Sequence, residues 1–328
     1  WPPQERGEWY CAEISALSFN DNCVDVHWKG SGGVGKPAPY TLNPNTSYIN
    51  FLNEVTIGDN NSSKKSNFVR KDKMNVLIGR GSVPKGKQMT DWGSVYNPTL
   101  FFTTVLKETL VEEGIEVPGK AIDSDEDKEI KDAIKERNKL IKIAVCQSPP
   151  LLSLLEIINT HSHNFYAEQV FKTLGKRIKN EGSFMKSGEA VQEFLDCTNL
   201  SENGSVIMDG SGLSYLNRVS PKQLVNVLRY IKRKPYWNEF LNSLPRGQTK
   251  GYLAKYWNGS LKEREVSRRI YGKSGYIGGV VGLTGVVYNE EDKEIFYSIL
   301  INGFKGGASP SRELANAIAF EIAASRIP

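Results

Sequence analysis

Ser162-His163-Asn164 sets a hydroxyl and a carboxamide one residue apart, just after an apolar run that ends near Thr160. On the tight connection expected there, the two side chains can point the same way. Farther along, Lys273-Ser274-Gly275 puts a cation and a hydroxyl beside a residue without bulk, with Gly278 and Gly279 close behind. A strand of that composition can accept an extended ligand along its edge. A cation near a hydroxyl favours its deprotonated character, and a fixed positive charge suits an anionic C-terminus. The intervening Asp209-Gly210-Ser211-Gly212-Leu213-Ser214 reads as a turn-rich structural loop.

Helices must carry the first of these groups and strands the second. After Ser148-Pro149-Pro150, the residues Leu151, Leu152, Leu154, Leu155, Ile157 and Ile158 form one apolar helix face, and Phe165, Val170, Phe171 and Leu174 begin another. Ser220-Pro221-Lys222-Gln223 combines an N-cap serine, a first-turn proline and a capping-box glutamine. Strands are predicted over 276–288 and 294–301, joined by a turn at Asn289-Glu290-Glu291-Asp292, and a last helix begins near Ser309-Pro310. Helices, a hairpin and a closing helix predict an α+β core with an antiparallel sheet.

The first half reads as β-rich, with a small β subdomain over 36–87, an amphipathic helix over 97–114 capped by Gly114, and a charged, solvent-facing helix over 123–142. Cys11 and Cys23 flank a turn signal at Asn20-Asp21-Asn22, and Val24, Val26 and Trp28 follow at period two. That is a hairpin reading, and it predicts a Cys11–Cys23 disulfide and an oxidising compartment. Cys146 and Cys197 read as small buried hydrophobes.

With 328 residues, 39% hydrophobic and 24% charged, the chain has material for two domains and is not disordered, collagenous or coiled-coil. The net charge of +5 is spread thinly, so nucleic acid is not implied. No apolar run reaches the length of a membrane span. Gly30 to Lys36 imitates a phosphate loop, but Pro37 stands where a magnesium-binding hydroxyl belongs. His161 and His163 lack carboxylates at ligand spacing, so no metal is expected. The start, Trp1-Pro2-Pro3, has neither an initiator Met nor a signal-like run and reads as a cut within a longer protein.

The order of S-x-N and K-S-G resembles the S-D-N and K-T-G signatures that follow S-x-x-K in penicillin-binding proteins and class A β-lactamases. Together with Gln147 to Leu151, Asn164 to Gly175, Asp209 to Ser214 and Lys273 to Gly285, the chain resembles the class C low-molecular-mass penicillin-binding proteins, the D-alanyl-D-alanine carboxypeptidase/endopeptidases. The resemblance implies a penicillin-binding/β-lactamase-like core at 144–328, with the antiparallel sheet flanked by helices. Inserted accessory regions would occupy 1–35 and 88–143, with the small β subdomain at 36–87. It implies a serine acyl-transfer enzyme outside the cytoplasm, acting on peptidoglycan peptides and β-lactams without a cofactor, with homo-oligomerisation left open. Ser162 would relay a proton to the leaving amine, Asn164 would hold the substrate amide, and Lys273, Ser274 and Gly275 would bind the substrate. The family's S-x-x-K nucleophile is expected upstream of Trp1. The internal matches at Ser62, Ser82 and Ser183 sit in a polar loop, around Pro84, and after S-x-N in order. A non-catalytic peptidoglycan-binding relative and a β-lactamase are the alternative readings.

Overall fold

Val24, Val26 and Trp28 are buried while Asp25, His27 and Lys29 between them are more exposed, so β1 (Cys23–Lys29) lays one face on a core. In the computed structural model, which describes residues 5–61, 63, 66–136, 141–257 and 259–326, the chain divides into two units, Trp1–Gln147 and Ser148–Pro328.

In the first unit, β1 lies between β2 (Tyr40–Asn43) and β6 (Gln88–Ser94), antiparallel to both. A second sheet places β5 (Val76–Pro84) between β3 (Asn50–Gly58), which is parallel to it, and β4 (Asn67–Arg70), which is antiparallel. The core takes Trp28 and Val26 from one sheet and Val55, Leu77 and Phe68 from the other. The buried Trp28 indole donates to Asp91 at 2.9 Å, which satisfies a polar atom that would otherwise be orphaned. Helix α1 (Pro98–Glu112) starts where the Asn97 side chain accepts from the Leu100 amide, and it sends Phe101 and Val105 into this core.

Several expectations change here. Residues 12–22 are irregular apart from a 3-10 turn at Asn20–Asn22, so Cys11 has no ladder to hold it opposite Cys23, whose partner across the sheet is Ser94. The expected Cys11–Cys23 disulfide is therefore not formed. Both are buried free thiols, and burial pushes Cys11 up to about 12. Cys146 and Cys197 are exposed, the former in a segment without regular secondary structure and the latter at the last position of a helix. The Gly30 turn brings the backbone so near the Pro84 carbonyl that a Cβ would lie 2.2 Å from it, which explains the glycine without a phosphate. The charged helix is α2 (Lys128–Lys135); residues 137–140 lie outside the described residues, and 141–150 are exposed and without regular secondary structure.

The second unit opens with α3 (Leu151–His161), α4 (Asn164–Lys179) and α5 (Phe184–Cys197), followed by α6 (Pro221–Lys232), α7 (Trp237–Ser243) and α8 (Leu261–Ser267). The Ser220 hydroxyl caps α6 by accepting from the Gln223 amide at 3.0 Å. An antiparallel sheet of order β7-β8-β9 follows, made of β7 (Ile270–Ile277), β8 (Val280–Tyr288) and β9 (Glu294–Asn302). The single strand expected over 276–288 is in fact a hairpin, because Gly279 takes a φ of +78° and reverses the chain. Helix α9 (Ser309–Ala323) lies on the sheet through Ala315, Ala319 and Ala323, packed with Leu283 and Val281.

Two glycines let β7 and β8 approach. Gly272 faces Gly285, and a Cβ on Gly285 would lie 1.9 Å from the Tyr271 carbonyl oxygen. Gly285→Ala is expected to lower stability by about 2–3 kcal/mol in urea unfolding, whereas Gly307→Ala, with open space around it, should cost far less. Equal effects would contradict this account of the hairpin.

Candidate active site

Helix α3 delivers Ser162. Near its end the Asn159 carboxamide donates to Ser243 of α7 at 2.8 Å, and Glu156 pairs with Lys250 at 2.8 Å. Ser162 then adopts a left-handed conformation, φ 55° and ψ 46°, which stops the helix and leaves the hydroxyl exposed. His163 caps the next helix by accepting from the Tyr166 amide, and Asn164 is the first residue of α4. The tight connection read from the sequence thus separates two helices by two residues.

Lys273 comes from the middle of β7, opposite Thr284 of β8. The Tyr297 hydroxyl passes under Gly272, where a Cβ would lie 2.4 Å away, and donates to the Tyr271 carbonyl at 3.1 Å, which fixes the strand just before the lysine. The Lys273 ammonium donates to the Ser162 hydroxyl oxygen and, at 2.7 Å, to the Ser274 carbonyl. Ser162 and Lys273, 111 positions apart in the chain, therefore meet. Ser274 follows on the same strand, and Gly275 is exposed with open space where a side chain would be. Pro245 and Gly247 bond to the edge of β7 at Gly272 and Ile270; beyond Gly272 no described strand pairs with it.

The electrostatics are one-sided. Burial pulls the Lys273 ammonium down to about 8, and among the described residues no carboxylate pairs with it. A half-buried cation of this kind favours an anionic ligand as its partner. Because the ammonium donates to the Ser162 oxygen, the hydroxyl hydrogen is left to point elsewhere.

Glu168 and Tyr215 escaped the sequence reading. Glu168 lies one turn beyond Asn164 on α4 and is fully buried. Its carboxylate accepts from the Gly210 and Ser211 amides at 2.9 and 3.1 Å and from the Ser211 hydroxyl at 2.6 Å. Burial raises its pKa although these bonds oppose the shift. Asp209 closes the same loop by accepting from Gly212, Ser214 and Asn217. Held in this way, the loop brings the Tyr215 hydroxyl beside Gly278 at the end of β7, where a Cβ would lie 2.9 Å from it. The loop read as structural therefore also borders the strand that carries Lys273. A glutamate on a helix gives no sequence signal of this kind; the dense Asp-Gly-Ser-Gly turn was the available cue. The histidines form no metal cluster among the described residues.

Between pH 8 and 10.5 the unfolded chain keeps the Lys273 proton and the folded chain does not, so stability rises with pH across that window. Urea unfolding should show wild type gaining on Lys273→Met as pH climbs from 8 to 10.5; a flat or falling difference would refute the assignment. Glu168→Ala should cost at least about 2 kcal/mol and loosen the 209–214 loop, as read by amide exchange.

Residues 1–324 match the model of the D-Ala-D-Ala carboxypeptidase 3 (S13) family. The chain is 27% identical over 325 residues to the D-alanyl-D-alanine carboxypeptidase of Actinomadura sp. (strain R39), covering 94% of this chain and 57% of that protein. It is 24% identical over 317 residues to penicillin-sensitive carboxypeptidase A of Dictyostelium discoideum, covering 92% and 58%. It thus spans somewhat over half the length of these relatives. In fold it is similar to penicillin binding protein 4 (dacB) from Haemophilus influenzae, with a TM-score of 0.73 and 21% identity over 97% of this chain and 71% of that one. With its α+β architecture, this chain belongs to the D-Ala-D-Ala carboxypeptidase 3 (S13) family.

Proposed function

We propose that the second unit is the part of a serine-type D-Ala-D-Ala carboxypeptidase that handles the leaving group and the substrate carboxylate, with endopeptidase cleavage of D-Ala cross-links as a related activity outside the cytoplasm. The observation that carries this reading is the Lys273 ammonium donating to the Ser162 hydroxyl at the open edge of β7. An extended peptide would lie along that edge, with its terminal carboxylate drawn to Lys273 and Ser274 and its amide held by Asn164. A nucleophilic serine would add to the carbonyl of the penultimate residue. As the C–N bond breaks, the Ser162 hydroxyl would relay to the departing amine the proton released by the attacking serine, and the ester would then be hydrolysed by water, which restores the serine hydroxyl. A β-lactam would occupy the same site; one structure of the similar Haemophilus influenzae protein is complexed with a β-lactam.

The nucleophile itself would come from outside these 328 residues. Ser183 is occupied as the cap of α5, accepting from the Lys186 amide at 3.2 Å, and Lys186 is paired with Glu189. Ser82 is a strand residue of β5, and Ser62 with Lys65 lies outside the described residues. Uncovered apolar surface supports the idea that more chain completes this unit. Leu151, Leu152, Phe194 and Tyr236 are exposed along one groove, and the outer edge of β9 is paired with no described strand. No described helix is long and apolar enough to cross a membrane.

Fluorescent penicillin is expected to leave the 328-residue chain unlabelled and to label the full-length gene product on an upstream serine. In that product, Ser162→Ala should slow acylation about a hundredfold or more. A covalent adduct on the 328-residue chain alone would overturn the placement of the nucleophile. No adduct on the full-length protein would favour a non-catalytic peptidoglycan-binding relative, and rapid turnover of penicillin would favour a β-lactamase.

A further inference from the structure

The sheet β2-β1-β6 of the first unit buries one face and displays the other. Register places the displayed residues in rows across the strands: Asn43, Asp25 and Trp92 in one, and Thr41, His27 and Thr90 in the next. Lys29 and Gln88 lie beyond them. Trp92 is 46% exposed, and Trp9, 37% exposed, meets it edge-on with ring centroids 6.4 Å apart. Trp92 on β6 and Trp9 on a short 3-10 helix (Trp9–Cys11) thus leave adjacent indole surface open to water, at a cost in hydration free energy.

The polar groups beside them are held rather than loose. The Asp25 carboxylate accepts from the Asn20 carboxamide at 3.0 Å and from the Asn43 carboxamide at 3.3 Å. The His27 ring and the Thr90 hydroxyl are 2.9 Å apart. The rows thus offer carboxamide, carboxylate, imidazole and hydroxyl groups in fixed positions next to an aromatic surface. Within these rows the formal charges, on Asp25 and Lys29, are opposite, so a neutral polar ligand meets no uncompensated charge there.

We propose that this face of the first unit binds a neutral oligosaccharide of β-linked pyranoses, with a sugar ring stacked on Trp92 beside Trp9 and its hydroxyls bonded to Asp25, Asn43 and His27. A β-linked pyranose with equatorial substituents presents a flat array of C–H bonds to an indole and a rim of hydroxyls, each both donor and acceptor. Carboxylate and carboxamide oxygens keep spare lone pairs for such hydroxyls even when already bonded once. Strands about 4.8 Å apart make the row from Asn43 to Trp92 about 10 Å long, the span of roughly two rings. The site lies outside the chemistry proposed for Ser162 and Lys273, and its test is independent of acylation.

The test is titration of the whole 328-residue chain with chitotetraose, followed by indole and amide NMR. The Trp9 and Trp92 indole signals should shift, while Trp28, buried and bonded to Asp91, serves as the internal control. Trp92→Ala should weaken binding at least about tenfold with melting behaviour unchanged, and Trp92→Phe should restore most of it. Asn43→Ala, at an exposed position, covers the case in which Trp92→Ala fails to fold. The proposal is overturned if wild type shows no shifts at about 10 mM sugar, if the shifts map away from Trp92, Asp25 and His27, or if folded Trp92→Ala binds as well as wild type.

Discussion

An ammonium group taken partly out of water, with no carboxylate among the described residues to face it, governs the second unit. Lys273 donates to the Ser162 hydroxyl and the Ser274 carbonyl, both neutral oxygens, so its charge is solvated but not balanced. Burial lowers its pKa for that reason alone. The arrangement persists only because the elements on either side are fixed independently. The end of α3 is tied to α7 and to Lys250, and β7 is pinned by the Tyr297 hydroxyl. A hydroxyl and a cation that met merely by mutual attraction would relax toward solvent; here each is delivered by a frame that pays no attention to the other.

Backbone conformation does the delivering. At Ser162 a left-handed residue ends one helix, and the next helix begins two residues later, so the hydroxyl is presented at a corner instead of along a helix face. On the other side, Gly272 and Gly285 let β7 lie tightly against β8. Side chains there would lift the strand and displace Lys273 with it. Gly275, by contrast, has nothing near it, and its lack of a side chain leaves the edge free for another extended chain.

Much of this could be read from residue order. That Ser162 and Lys273 meet was legible from S-x-N after an apolar helix and K-S-G on a glycine-rich strand, because a hydroxyl and a cation in those settings suggest a shared site. The helix at Ser220-Pro221 was legible because capping is local. What escaped depends on tertiary placement. The hairpin inside 270–288 turned on one positive φ at Gly279. The Cys11–Cys23 reading failed because a turn signal does not by itself recruit a strand on both sides, and β1 found its partners at β2 and β6 instead. Glu168 was invisible because its role lies in a loop 42 residues away.

Glu168 and Lys273 make an instructive pair, since both are charged groups withdrawn from water within the same unit. The carboxylate of Glu168 is answered by two backbone amides and a hydroxyl, all from one loop, and that loop is thereby held in place. Such a group is complete, and any ligand would have to compete with its own fold for it. Among the described residues, the ammonium of Lys273 is answered only by neutral acceptors, beside a strand edge with which no described strand pairs beyond Gly272. Desolvation without a counter-charge is tolerable when the missing charge arrives with the ligand, because the cost is then recovered on binding. Burial alone would not tell these two residues apart. The difference lies in what answers the charge: for Glu168 the fold supplies donors from one loop, and for Lys273 no carboxylate among the described residues does so.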